Sequence, residues 1–193
     1  MGATVTFTTM DVVVALHAAA ALLLVVAGLA KLLRPAPTTD LLSTLGLPQH
    51  PALTLGIGSG ECVVGVAALG VGGPLAAAAT GALYLGFVFV VWRAISAGAV
   101  SCGCFGRVDA PPSWIHIVGN LALAVVSFVA VSGESPLEVM DDQPVGGLGF
   151  VLVVGVLAGL ALVAFTALPE ALGARRGGST AAEPFRVDLE DRT

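Results

Sequence analysis

Charge is what this chain has least of: Asp, Glu, Lys and Arg make up 11% of its 193 residues, against roughly 25% in an ordinary soluble domain. Too few polar groups remain to cover a water-facing surface. Aromatic residues are also few, at 6%, so the apolar 56% of the chain is carried mainly by Ala, Val and Leu, with Gly interspersed. Small residues suit helices that pack closely in lipid. The eight basic residues form no cluster and are joined by no aromatic ladder or zinc-finger spacing, which excludes nucleic-acid binding. The net charge of -5 comes mainly from one loop and the C-terminal tail, and so bears on topology more than on ligands.

What the chain does have is length of apolar run. Residues 12–33, 52–73, 76–97, 113–132 and 147–168 are each long enough to cross a hydrocarbon core of about 30 Å, which takes roughly 20 helical residues. Helix is expected throughout, because isolated strands in lipid leave backbone groups unpaired and these runs lack the alternation of a barrel strand. The expected fold class is therefore all-α, a multi-pass membrane helical bundle of five transmembrane helices. The first run reads better as a retained membrane anchor than as a signal peptide, since its positive charges, Lys31 and Arg34, follow the apolar stretch rather than precede it. The breaks are chemically sensible. Arg34-Pro35-Ala36-Pro37 stops the first helix, Gly72-Gly73-Pro74 makes a tight hairpin, and Asp109 to Ser113 lead into the fourth helix with Ser113 as its cap.

With five crossings, alternate connections lie on opposite faces. Lys31, Arg34, Arg93, Arg107, Arg175, Arg176, Arg186 and Arg192 all fall on one face, opposite Asp11 and the acidic loop with Glu134, Glu138, Asp141 and Asp142. The positive-inside rule then puts the N-terminus outside and the C-terminus in the cytoplasm of a plasma (inner) membrane.

Two of the three cysteines lie in Ser101-Cys102-Gly103-Cys104-Phe105-Gly106, directly after the third helix. Thiols one residue apart pair only by closing a very small ring, which strains the disulfide and eases its reduction. Such a pair suits exchange better than structural stapling. Gly103 and Gly106 let the backbone bend, and Arg107 favours a thiolate. The competing readings are two small residues tolerated at a helix end, and a metal site joining the cysteines with His116, for which no usual zinc spacing is present.

Glu61 and Cys62 lie near mid-membrane, where an ionised carboxylate costs several kcal/mol. Glu61 reads as protonated or paired: a proton acceptor, a polar contact to a quinone-like ligand, or interhelical glue with Asn120 or Tyr84. Pairing with His17 is also open. Cys62 reads first as a small buried apolar residue and second as a relay, which requires the Cys102–Cys104 loop to re-enter the bundle. Lys31, at a helix end, is expected to snorkel to the interface as a topological anchor. Arg93, Trp92 and Trp114 fit interfacial anchoring, and His116 and Asn120, one turn apart, share a helix face.

Taken together, Ala27-Gly28-Leu29-Ala30-Lys31-Leu32, Gly60-Glu61, and Cys102-Gly103-Cys104-Phe105-Gly106 followed by Trp114 and Asn120 make the chain resemble the methylamine utilisation protein MauE family, related to DoxX-like membrane proteins, over roughly residues 10–132. The resemblance implies a four-helix membrane domain at 12–132, preceded by a short segment 1–11. An acidic loop 133–146, a fifth transmembrane helix 147–168 and a flexible polar tail 169–193 would follow it. It also implies a thioredoxin-like partner and a disulfide-containing client, in that family the small subunit of methylamine dehydrogenase. The expected function is thiol-disulfide exchange by Cys102 and Cys104, with Cys62 and Glu61 as relay or proton sites and Gly103, Phe105, Gly106, Arg107 and Asn120 in support. No metal is implied, and a quinone is the one cofactor the residues raise. The family's client is extracytoplasmic, whereas the charge count puts Cys102 and Cys104 on the cytoplasmic face. The asymmetry of the basic residues favours the cytoplasmic assignment, with Cys62 then a relay across the bundle. A non-catalytic membrane scaffold and a small transporter are the alternatives.

Overall fold

A computed structural model of the chain describes residues 9–99, 111–132, 135–138 and 144–180, and among these every regular element is helical. The order is α1 (Thr9–Leu33), α2 (Ala36–Thr44), α3 (Pro51–Gly70), α4 (Gly73–Ser96), α5 (Trp114–Val129), a single 3-10 turn (Ala130–Ser132) and α6 (Pro144–Thr180). Four helices, α1, α3, α4 and α6, are long and apolar enough to cross a membrane. α5 has 16 residues, about 24 Å of rise, and the 3-10 turn adds about 6 Å. Large apolar side chains such as Val63, Val66, Leu75, Phe89, Leu152 and Val156 face outward, an arrangement that only a lipid surround accommodates.

α1 is the central helix because its middle is nearly all alanine. Ala18, Ala19, Ala20 and Ala21 are each at most 3% exposed, and 61% of the α1 span is buried against 22 to 28% for α3, α4 and α6. α3 lies antiparallel along it, backbone against backbone. A Cβ on Gly28 would stand 2.5 Å from the Gly58 carbonyl oxygen, and one on Gly65 would stand 2.7 Å from that of Ala21. α4 and α5 form a second antiparallel pair. Gly81 of α4 faces the Phe128 ring near one end, and Val91 meets Ile117 near the other. α6 runs parallel to α1, with Phe150, Val154 and Ala158 in one cluster with Val14, Ala15, Ala18 and Ala19.

The hairpin at Gly72-Gly73-Pro74 forms as expected. Gly72 and Gly73 both have positive φ, 64° and 80°, a region open to glycine. Ser135 packs onto Gly72 and opens a helical turn in which its N–H donates to Glu138 Oε2 at 2.7 Å while the Glu138 N–H donates to Ser135 Oγ at 3.2 Å. This reciprocal capping holds the Glu138 carboxyl below the usual carboxylate range.

Two segments differ from expectation. The break after Arg34 contains α2, because proline is well tolerated in the first turn of a helix and Pro35 and Pro37 both sit there, while Thr38, Leu41 and Leu42 turn inward. The prolines that end α1 thus begin its successor. At the other end, the apolar span Gly147–Pro169 matches the expected fifth helix, but the helical backbone continues to Thr180 through Ala171, Leu172, Ala174, Arg175 and Arg176, all good helix formers. Of the polar tail expected from 169, residues 169–180 are therefore helical.

The α1–α3 seam generates a direct test. Gly65→Val should destabilise the protein by about 1–3 kcal/mol through overpacking. Gly60→Ala, on the open face of α3 with nothing within reach of a Cβ, should leave stability unchanged. Unfolding in mixed detergent micelles reads both; equal losses would show that the seam does not hold the bundle together.

Candidate functional site

In a helix each side chain leans toward its own N-terminus. α1 and α3 are antiparallel, so Lys31, near the C-terminal end of α1, leans into the bundle while Glu61 leans back toward the same end. They meet: Lys31 Nζ donates to Glu61 Oε2 at 2.8 Å, with side-chain exposures of 6% and 1%. The snorkelling expected for Lys31 is thereby corrected. Its charge is held inside by a carboxylate rather than drawn out to water. Glu61 is likewise paired with Lys31 rather than with Asn120, Tyr84 or His17. Tyr84 Oη instead donates to the Ala20 carbonyl at 2.7 Å, and His17 Nδ1 lies 3.3 Å from Ser127 Oγ. Glu61 Oε1 has no hydrogen-bond partner among the described residues.

Lys31 Nζ also lies 5.7 Å from the centroid of the Phe87 ring, within cation–π range. Beside it is a cavity of about 20 Å³ walled by Leu23, Leu24 and Ala27 of α1, Tyr84 and Phe87 of α4, His116 and Asn120 of α5 and Phe165 of α6. That volume holds about one water molecule. A quinone ring does not fit it, and Glu61 is not among its walls. His116 and Asn120 share a face as expected, both buried. Asn120 Nδ2 donates to the His116 carbonyl at 2.7 Å, which continues the first turn of α5.

The polar group sits at one end of the bundle, the end where α1 and α4 finish and α5 begins. The α4–α5 connection at that end carries the Cys-Gly-Cys segment. Cys102, Gly103, Cys104, Phe105, Gly106 and Arg107 lie outside the described residues. Cys62 is half-buried in the α1–α3 seam, its Sγ 3.7 Å from the Val25 carbonyl oxygen, and does not line the cavity. Ser113 takes the N-cap position of α5, but its hydroxyl lies 3.0 Å from His116 Nδ1 rather than capping a backbone N–H. Trp92 and Trp114 are 50% and 68% exposed, in keeping with interfacial anchors. Sequence reasoning missed Phe165 as part of this site; its signal was an aromatic residue in the final apolar run, with nothing to say where it points.

A family model described as methylamine utilisation protein MauE matches residues 9–133. No curated protein and no solved structure gives a significant match. The matched residues take in Lys31, Glu61, His116 and Asn120 but stop short of α6.

The ion pair predicts an asymmetry between single and double replacement. Lys31→Met or Glu61→Leu alone should cost about 3–5 kcal/mol, since each strands a buried charge, whereas the double variant should recover most of that loss. Detergent unfolding of the three variants checks this. A double variant as unstable as either single one would mean that the two side chains act independently.

Proposed function

Because the chain belongs to the methylamine utilisation protein MauE family, we propose that it is a membrane thiol-disulfide redox protein whose Cys102 and Cys104 exchange with a thioredoxin-like partner and support disulfide maturation of a client. The observation that carries this reading is one of placement. The connection bearing Cys102-Gly103-Cys104 joins α4 to α5, the two helices that, with α1 and α6, wall the small cavity bounded by Lys31, His116 and Asn120.

In the proposed reaction one of the two cysteines, as thiolate, attacks a sulfur of the partner's disulfide. That S–S bond breaks, a mixed disulfide forms, and the displaced partner sulfur leaves as a thiolate that takes up a proton. The second cysteine, losing its own proton, then attacks the mixed disulfide. Cys102 and Cys104 end oxidised and the partner ends as a dithiol, with two electrons transferred. The reverse sequence reduces the pair. The small ring of a Cys-X-Cys disulfide makes it a ready oxidant, and Arg107, three residues after Cys104 in the sequence, favours a thiolate. Cys62 takes no part in these steps. The end carrying the thiols is assigned to the cytoplasmic face, supported by Arg34, Arg93, Arg175 and Arg176 at the ends of α1, α4 and α6.

A non-catalytic scaffold is the second reading, favoured by Gly56 and Gly60 on the outer face of α3, which leave open space for a neighbouring helix.

Alkylation trapping decides between exchange and scaffold. Cys102 and Cys104 should be protected from alkylation after oxidant and reactive after reductant, and Cys102→Ser should abolish client oxidation. A pair permanently reduced under both conditions would sink the exchange reading. A membrane-impermeant thiol reagent should reach these cysteines only after cell lysis; labelling in intact cells would reverse the orientation.

A further inference from the structure

α3 and α6 both pack along α1, and a groove of about 260 Å³ lies where the three meet the turn that holds Leu137. Ala18 and Leu22, one turn apart on α1, line it together with Leu69 of α3 and Val151 and Gly155 of α6. Leu137, whose side chain reaches the end of α3 at Gly70, closes it on one side. Every described residue along it is apolar, so water finds no partner there. Leu137, Val151 and Gly155 are exposed, so the groove opens onto the outer surface of the bundle, where the surrounding fluid is acyl chain. An apolar cavity of roughly 150 Å³ already takes up benzene, and this larger one accommodates a run of methylenes.

Charge selects the headgroup. Lys31, Arg34 and Arg93 stand at the opposite end of the bundle. The charged side chains described at the end nearer the groove are Asp11, in the first turn of α1, and Glu138, the residue after Leu137. Glu138 is exposed, and the Ser135 N–H that donates to its Oε2 at 2.7 Å favours the ionised carboxylate. Such a group at the membrane surface accepts a charge-assisted hydrogen bond from a primary ammonium. It repels an anionic headgroup, and a choline headgroup has no N–H to offer it.

We propose that the groove is a lipid site, which holds an acyl chain of a phospholipid whose primary-amine headgroup, ethanolamine, meets Glu138. The lipid then packs between helices of the family-matched part, residues 9–133, and α6, which lies beyond the match. The inference is independent of the thiol reading above.

The test uses the full-length protein in nanodiscs of phosphatidylethanolamine, phosphatidylcholine and phosphatidylglycerol in equal parts, with identical acyl chains. Native mass spectrometry then weighs the lipids that stay bound on release. Phosphatidylethanolamine should be retained several-fold above the other two. Gly155→Leu, where the added side chain has open space at the groove, and Val151→Phe, at its exposed mouth, should each reduce retention several-fold. Gly86→Leu, in open space on α4, should not. Glu138→Gln, which can still serve in the reciprocal capping with Ser135, should keep a lipid bound and lose the preference for ethanolamine over choline. Retention that ignores both groove variants would overturn the site, since the lipids would then be a general coat. A preference for the anionic headgroup, or an ethanolamine preference that survives Glu138→Gln, would overturn the role of the carboxylate. A dimer without bound lipid, broken by Gly155→Leu, would overturn the proposal by giving the groove to a second copy of the chain.

Discussion

An ammonium group and a carboxylate 2.8 Å apart inside lipid constrain everything around them, because neither can be left alone there. An isolated charge at depth costs several kcal/mol, so any arrangement of α1 and α3 that separates Lys31 from Glu61 is heavily disfavoured. A slip of one residue along α3 turns Glu61 by about 100° around the helix axis and breaks the pair. The register it selects is also the one that sets Gly28 against Gly58 and Gly65 against Ala21. Replacement of such a pair by apolar residues is often neutral for stability, so the pair matters most for excluding other registers, and the glycine seam supplies the contact.

The remaining helices are arranged around α1 by the same logic at lower cost. Tyr84 of α4 donates to the Ala20 carbonyl, and His17 of α1 approaches Ser127 of α5. Between helices in lipid there is no hydrophobic drive, so close packing and such hydrogen bonds decide which helices touch. Both contacts converge on α1, whose alanine-rich surface lets neighbours approach. Thr39 of α2 and Thr54 of α3, 3.0 Å apart, anchor the short helix to the bundle in the same way.

The apolar spans were legible because length and composition determine them locally, and the hairpin at Gly72-Gly73 was legible because the residue types dictate the turn. The role of Lys31 was not. A lysine near a helix end reads equally as an outward anchor or an inward partner, and the choice depends on a carboxylate 30 residues away and on the antiparallel setting of α3. α2 escaped notice because prolines mark the end of one helix and the beginning of another by the same chemistry. The place of Phe165 depends on the His116 ring it stacks on and on the absence of a side chain at Gly119, features of another helix that no local pattern in α6 reveals. Of the expected site, His116 and Asn120 came together as their spacing implied, while Cys102 and Cys104 lie outside the described residues.

The size of the cavity bears on where chemistry can take place. About 20 Å³ admits one water and no ring, and Cys62 stands apart from it in the α1–α3 seam. Among the described residues Cys62 is the one thiol, and the exchange proposed above runs between Cys102, Cys104 and the sulfurs of their partner. On that view the membrane helices carry no electrons. A buried ion pair sets the register of one helix pair, and the stacked rings of His116 and Phe165 join another. Both devices fix position with single directional contacts, which suits a reaction whose rate depends on the line of approach between two sulfurs.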